Sequence, residues 1–150
     1  MRIEPCRQDT IEEWARLRKA LWPDTPVAEH RQETENLLGQ HGRSCAFLAW
    51  TSDGRAVGFA EASLREDYVN GCTTSPVAFL EGIYVDPDHR RCGVARVLIG
   101  AVEDWAHGLG MSELASDAEL HNSVSHRMHA ALGFEETERV VYFRKALRED

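Results

Sequence analysis

The stretch that most constrains this chain is an apolar run, Val77–Val85, closed by Pro87 and followed by a turn rich in arginine with Gly93 inside it. The run is short, β-branched and aromatic, which predicts a buried strand. Pro87 cannot extend a ladder. Beyond the turn, Val94, Val97, Leu98, Ala101, Val102 and Trp105 recur at helical spacing over residues 93–107, and Gly108 and Gly110 stop the pattern. A buried strand that feeds a helix through a tight turn is half of a βα unit, so the chain is expected to build an α/β fold.

The flanking sequence fills in the rest. Residues 1–6 read as an edge strand. Asp9 is placed to cap a helix, with Glu12 as its capping-box partner. Ile11, Trp14, Ala15, Leu17, Arg18 and Leu21 then form a helical stripe that Pro23 and Pro26 break. A polar helix is predicted over 27–40, and strands over 45–51 and 56–65 with the hairpin signal Asp53-Gly54 between them. Residues 66–76, with Asn70-Gly71 and Pro76, read as a loop. A short strand over 111–117, a helix over 122–132 ended by Gly133, and a last strand over 137–147 complete the order β-α-α-β-β-β-α-β-α-β. The expectation is a mixed central sheet flanked by helices, in one domain over residues 1–150.

The formal charge of −8 lacks the basic footprint that nucleic-acid phosphates require, and it favours cationic partners. Cys6, Cys45, Cys72 and Cys92 have no metal-ligand spacing and are expected as free thiols. No apolar run approaches the roughly 20 residues of a membrane span, and residues 1–7 lack a signal-peptide core, so a cytoplasmic address is expected and no membrane partner.

The turn Asp86-Pro-Asp-His-Arg-Arg-Cys-Gly-Val-Ala95 concentrates Arg90 and Arg91, with Arg96 just beyond, in an acidic chain. Gly93 allows close backbone approach, and the N-terminus of the following helix offers amides to an anion. Neither a Walker lysine nor a G-x-G-x-x-G is present. Arg90-x-x-Gly93-x-Ala95 resembles the (Q/R)-x-x-G-x-(G/A) signature with which GNAT acetyltransferases bind the pyrophosphate of CoA. Asn122 and Leu132-Gly133-Phe134 resemble the second conserved region of that superfamily. Leu21-Trp22, Tyr68-Val-Asn-Gly71, Thr74-Ser-Pro-Val77, Phe79-Leu-Glu-Gly-Ile-Tyr-Val85, Ala115-Ser-Asp117 and Glu138-Arg-Val-Val-Tyr-Phe143 resemble the aminoglycoside 6′-N-acetyltransferase branch.

This resemblance implies a GNAT fold, acetyl-CoA as co-substrate, no metal, a cationic aminoglycoside acceptor and a homodimer. It also implies the site. Glu81 and Asp117 are the expected catalytic carboxylates and also contact the amino sugar. Trp22, Tyr68 and Glu138 are further substrate contacts, and Thr25 stands where the branch often has a histidine. The backbone of Ile83, Tyr84 and Val85 is expected to pair with the pantetheine, and the amides of Arg91, Cys92, Gly93, Val94, Ala95 and Arg96 to hold the pyrophosphate. Asn122 is expected to hydrogen-bond the pantetheine. His129 occupies the place where many members carry a thiolate-protonating tyrosine.

The chemistry explains the preference for carboxylates. An alkyl amine with a pKa of about 10.4 is mostly protonated at pH 7, and freeing its lone pair costs about 4–5 kcal/mol. A group that binds the cation and accepts its proton lowers that barrier. Alternation places Glu81 on one sheet face with Phe79 and Ile83. The structural alternatives are a buried partner of a nearby arginine for Glu81, and a turn or capping residue for Asp117. A metal site from His121, His126 and His129 lacks a recognisable ligand pattern. An acetyltransferase for another amine, or a non-catalytic acyl-CoA sensor, are the alternative functions. The apolar segment Val140-Val-Tyr-Phe143 is expected to pair with a second subunit.

Overall fold

The computed structural model describes residues 1–40 and 42–148, which divide into two compact units, Met1–Asp117 and Ala118–Asp150. The first unit carries a five-stranded sheet in chain order: β1 (Arg2–Pro5), β2 (Ser44–Trp50), β3 (Ala56–Arg65), β4 (Val77–Val85) and β5 (Leu114–Ala115). The first four strands are antiparallel neighbours, and β5 joins β4 in parallel, so the sheet is mixed. Three helices cover it: α1 (Ile11–Leu21), α2 (Val27–Leu38) and α3 (Val94–Gly108).

The apolar stripe of α1 makes the core. Trp14 and Leu17 are fully buried with Leu48 of β2 and Phe59 of β3. On α3, Leu98, Ile99 and Val102 are buried in the same manner. Each such side chain contributes roughly 1.5–3 kcal/mol through its burial. One polar cluster interrupts the apolar packing. Glu61 of β3 accepts from the Trp14 indole N–H (2.7 Å) and from the Arg18 guanidinium, and both Glu61 and Arg18 are buried. Burial pushes the Glu61 carboxyl above the usual range, and the Arg18 charge opposes that shift.

In the first unit the structure departs from the sequence pattern at the start of α1 and at β5. Asp9 does not cap α1. Residues Gln8–Thr10 form a 3-10 turn, Thr10 stands at the helix cap without a side-chain cap bond, and the Asp9 carboxylate takes Arg7 Nε at 3.1 Å. Glu12 instead receives Arg31 of α2 through two bonds of 2.8 and 3.0 Å, so its charge joins α1 to α2 rather than closing a capping box. The strand predicted over 111–117 shrinks to Leu114–Ala115, because pairing with β4 covers only Ala78 and Phe79.

The second unit contains α4 (Ser123–Ala131). Asn122 caps it, its side chain accepting from the Ser125 amide at 3.1 Å. Gly133, at φ 93°, reverses the chain, and the His129 and Phe134 rings meet edge to face at 5.2 Å. The final strand predicted over 137–147 is not formed: residues 134–148 have no regular secondary structure. A strand needs a neighbour for its backbone hydrogen bonds, and the second unit holds no other strand among the described residues. Tyr142 and Phe143 of that segment are 84% and 92% exposed.

Candidate active site

The site in the first unit is built where β4 stops behaving as an ordinary strand. Across β3 the register runs Glu61 opposite Gly82 and then Ala62 opposite Leu80, so Glu81 is the extra residue of a bulge. The strict alternation expected for Phe79, Glu81 and Ile83 is therefore broken. Phe79 and Ile83 are buried, whereas Glu81 faces solvent. A bulge re-aims one side chain out of a buried strand, which is how an apolar run can present a carboxylate.

Two β3 residues hold that carboxylate. Ser63 Oγ donates to Glu81 Oε1 at 2.6 Å, and Arg65 donates to Oε1 and to Oε2, the latter at 2.9 Å. The Arg65 guanidinium also lies over the Phe79 ring, 3.5 Å from its centroid. The arginine partner weighed for Glu81 is thus present, but the pair lies open to solvent rather than buried.

Trp22 meets β4 one residue away. A methyl group on Gly82 would stand 2.6 Å from the Trp22 ring carbons Cζ2 and Cη2, so the indole lies directly on the strand backbone. Thr25 sits three residues on in the α1–α2 connection, its amide donating to the Trp22 carbonyl at 3.3 Å. Tyr68 stands 70% exposed in the loop after β3. That loop is tied down by Glu113, whose Oε1 accepts from the Thr73 and Thr74 amides (2.9 and 2.8 Å) and from the Thr74 hydroxyl (2.5 Å). These bonds, the Thr74 hydroxyl first, hold the Glu113 carboxyl below the usual carboxylate range.

Asp117 lies exposed two residues beyond Ala115, as Glu81 lies two beyond Phe79. Parallel pairing ends at Phe79 and Ala115, so both carboxylates lie two residues past the last pair. Beyond it the β4 backbone from Leu80 to Val85 has no β5 partner. Ile83, Tyr84 and Val85 belong to this stretch. At its end, Arg90 Nε donates to the Val85 carbonyl at 2.8 Å, with its guanidinium 5.5 Å from the Tyr84 ring centroid.

The turn that follows has the form of an anion cradle. Arg91 holds φ 61°, in the left-handed region that costs a non-glycine residue about 1–2 kcal/mol, and Gly93 holds φ 82°. Cys92 between them is exposed. The α3 ladder begins with Val97 N–H donating to the Gly93 carbonyl at 3.1 Å, so the amides of Val94 and Ala95 have no acceptor within the helix. Successive amides in such a turn suit a phosphate. Buried Asp86 braces its start, with Arg16 and Arg55 at 3.9 and 3.7 Å.

The first unit thus gathers Trp22, Thr25, Glu81, the Ile83–Val85 backbone and the turn 91–96, with Asp117 at its end. Asn122, Glu138 and His129 belong to the second unit. Glu138 is exposed in the irregular segment. His129 Nδ1 lies 2.7 Å from the Ser125 carbonyl, so in the neutral ring the proton sits on Nδ1. His126 Nε2 donates to the Glu119 carbonyl at 3.0 Å, and among the described residues no three His, Cys, Asp or Glu side chains form a metal-holding group. Sequence reasoning missed Ser63, Arg65, Glu113 and the Glu61–Arg18 pair. Only partner geometry reveals them, since each is a common residue type that follows no motif.

This arrangement defines the fold and cradle of an acyl-CoA-dependent transferase, and the chain belongs to the acetyltransferase (GNAT) family, whose sequence model matches residues 9–134. It is 54% identical over 145 residues to an aminoglycoside N(6′)-acetyltransferase type 1 of Acinetobacter genomosp. 13, covering 97% of this chain and 98% of that protein. The ligand-free crystal structure of the aminoglycoside antibiotic 6′-N-acetyltransferase AAC(6′)-IG from Acinetobacter haemolyticus superimposes with a TM-score of 0.93 at 48% identity, over 99% of this chain and 100% of that one. AAC(6′)-Iy in complex with the bisubstrate analogue CoA-S-monomethyl-acetylneamine matches with a TM-score of 0.91 at 47% identity, over 97% and 98% of the two chains.

Proposed function

We propose that this protein transfers the acetyl group of acetyl-CoA to the 6′-amino group of aminoglycosides and so confers resistance to them. The observation that carries the reading is the juxtaposition on β4: an exposed carboxylate, Glu81, at a bulge, on the strand whose unpaired edge leads into the left-handed turn before α3. A cation site and a diphosphate site at two ends of one strand edge suit a reaction between an amine and a CoA thioester. That a relative binds an analogue joining CoA to an acetylated aminoglycoside supports the same pairing.

The residues fit acetyl-CoA. Val94, Ala95 and the neighbouring amides of the 91–96 turn hold the pyrophosphate, and Ile83, Tyr84 and Val85 offer backbone partners to the pantetheine, with Asn122 as a further contact. The co-substrate supplies an activated acyl carbon. Glu81 and Asp117 attract the protonated amine, and Glu81 takes its proton directly or through water. The neutral amine then forms the new N–C bond as the C–S bond breaks, and the thiolate takes up a proton. Trp22, Thr25 and Tyr68 form the sugar-facing wall, and Glu138 is a further substrate contact.

The protein works as a homodimer in the cytoplasm, with residues 1–150 acting as one GNAT domain. The exposure of Tyr142 and Phe143 supports a subunit contact through that segment. Among the described residues no helix is long and apolar enough to cross a membrane. The reaction is tested by following free thiol release from acetyl-CoA with kanamycin or tobramycin, beside spermidine and a peptide amine, with Glu81→Ala as control. Saturable release with aminoglycosides that collapses in the variant is the expected result. Turnover confined to another amine would remove the substrate assignment, and an elution mass near that of one 16.9 kDa chain would remove the dimer.

A further inference from the structure

Beneath Trp22 lies a buried polar chain that links three elements. Arg18, on the last turns of α1, spends its guanidinium on three partners: Glu61 of β3, Glu33 of α2, and His30 Nδ1 of α2, which accepts from Arg18 Nε at 3.2 Å. His30 is 1% exposed and Arg18 is 5% exposed. The other His30 nitrogen, Nε2, lies 3.1 Å from the Trp22 carbonyl. Arginine is always a donor and a carbonyl always an acceptor, so both contacts demand one state of the ring: neutral, with the proton on Nε2.

The same two side chains touch the Trp22 ring. The imidazole stacks on the indole at 6.3 Å with an interplanar angle of 20°, and the Arg18 guanidinium carbon lies 4.9 Å from its centroid. Trp22 also closes α1, its amide donating to the Arg18 carbonyl at 2.8 Å. The Trp22 carbonyl takes the Thr25 amide as well, while Lys19 Nζ donates to the Thr25 carbonyl at 3.1 Å. One histidine on α2 thus fixes the end of α1 and the start of the connection that carries Trp22 and Thr25.

We infer that His30, held in one tautomer by Arg18, is a positioning residue for the sugar-facing wall: it orients Trp22 against Gly82 and sets the path of the Trp22–Thr25 connection. Burying an imidazole and a guanidinium in a core is costly unless both are satisfied, and an apolar pair would fill the same space. The chain that satisfies them ends on a backbone carbonyl at the substrate wall. The inference deepens the aminoglycoside reading and rests on it for Trp22 and Thr25 as substrate contacts.

The test uses the full-length protein. Nitrogen-15 correlation spectra of ligand-free enzyme at neutral pH should show His30 protonated at Nε2 and not at Nδ1. In 5-fluorotryptophan-labelled enzyme, His30→Leu should move the Trp22 resonance and leave those of Trp50 and Trp105 in place. In turnover, His30→Leu should raise the aminoglycoside KM about tenfold, the usual scale for losing a buried hydrogen bond. The acetyl-CoA KM and kcat should change far less. His30→Gln, whose amide offers one donor and one acceptor, should recover much of the loss and guards against a leucine variant that folds poorly. An Nδ1–H tautomer, an unmoved Trp22 resonance, or a glutamine variant no better than leucine would overturn the inference. If wild-type enzyme acetylates no aminoglycoside, the function fails, while the tautomer and fluorine spectra still judge the positioning role.

Discussion

Two glutamates on neighbouring strands, each bound to an arginine, have opposite fates. Glu61 of β3 is buried, with Arg18 and the Trp14 indole around it. Glu81 of β4 is exposed, with Arg65 and Ser63 beside it. The difference is backbone register. Glu61 sits opposite Gly82 in the regular ladder and points into the core, whereas Glu81 is the unpaired bulge residue and turns outward. An arginine partner therefore does not mark a carboxylate as structural or functional; access for a third party does. Glu61 has its partners closed in with it, while a substrate ammonium can compete for Glu81.

Exchanging roles should break this comparison most sharply at Glu61. Glu61→Gln takes the buried carboxylate from Arg18 and leaves it only Glu33, whose side chain is open to solvent, so the loss should approach but not reach the about 3–5 kcal/mol of a fully broken buried pair. Chemical denaturation should show that loss, with parallel failure of every activity. Glu81→Gln should do the reverse. Its denaturation midpoint should barely move, while kcat/KM for an aminoglycoside falls on the order of 10²-fold, the lower range for removing a proton acceptor. A Glu81→Gln variant with undiminished turnover would leave the bulge without a catalytic meaning.

Gly82→Ala lies between the two. The new methyl would stand 2.6 Å from the Trp22 ring, and overpacking of this kind costs about 1–3 kcal/mol. The indole must shift, so the aminoglycoside KM should rise more than the acetyl-CoA KM. Equal changes in both would mean that Trp22 is only core packing.

The comparison also explains what the sequence reveals. Strand β4, the break at Pro87, the turn and helix α3 are legible because apolar periodicity and glycine placement are local signals. Glu81 is legible as an isolated carboxylate in an apolar run, and its type alone allows an arginine partner. The bulge is not legible, since register depends on both strands. Arg18 shows the same limit: it falls within the apolar stripe of α1 by spacing, yet its burial depends on Glu61 and His30 from other elements. The segment 137–147 shows the converse. Its apolar residues signal a strand, but a strand forms only where a pairing edge exists, and the second unit supplies none among the described residues.

The smallest expected effect concerns a third carboxylate, Glu113, which is less exposed than Glu81 and acts as a tether. Its folded pKa lies below the ordinary carboxylate value, chiefly because the Thr74 hydroxyl and the Thr73 and Thr74 amides donate to it. The sign follows: the tether is complete above the ordinary value of about 4.3 and is lost as the pH falls through the lower folded value. The Thr73 and Thr74 amide resonances should then titrate together with a midpoint below 4.3, and Glu113→Gln should abolish that titration. Because solvent still screens this carboxylate, the consequence for the Tyr68 loop is modest, and the variant's aminoglycoside KM should rise by no more than about threefold. A midpoint at or above 4.3 would mean that the threonines do not hold the ionised carboxylate. Tyr68 would then owe its position to something other than Glu113, and the contrast between a carboxylate that binds outward and one that ties inward would reduce to Glu61 and Glu81 alone.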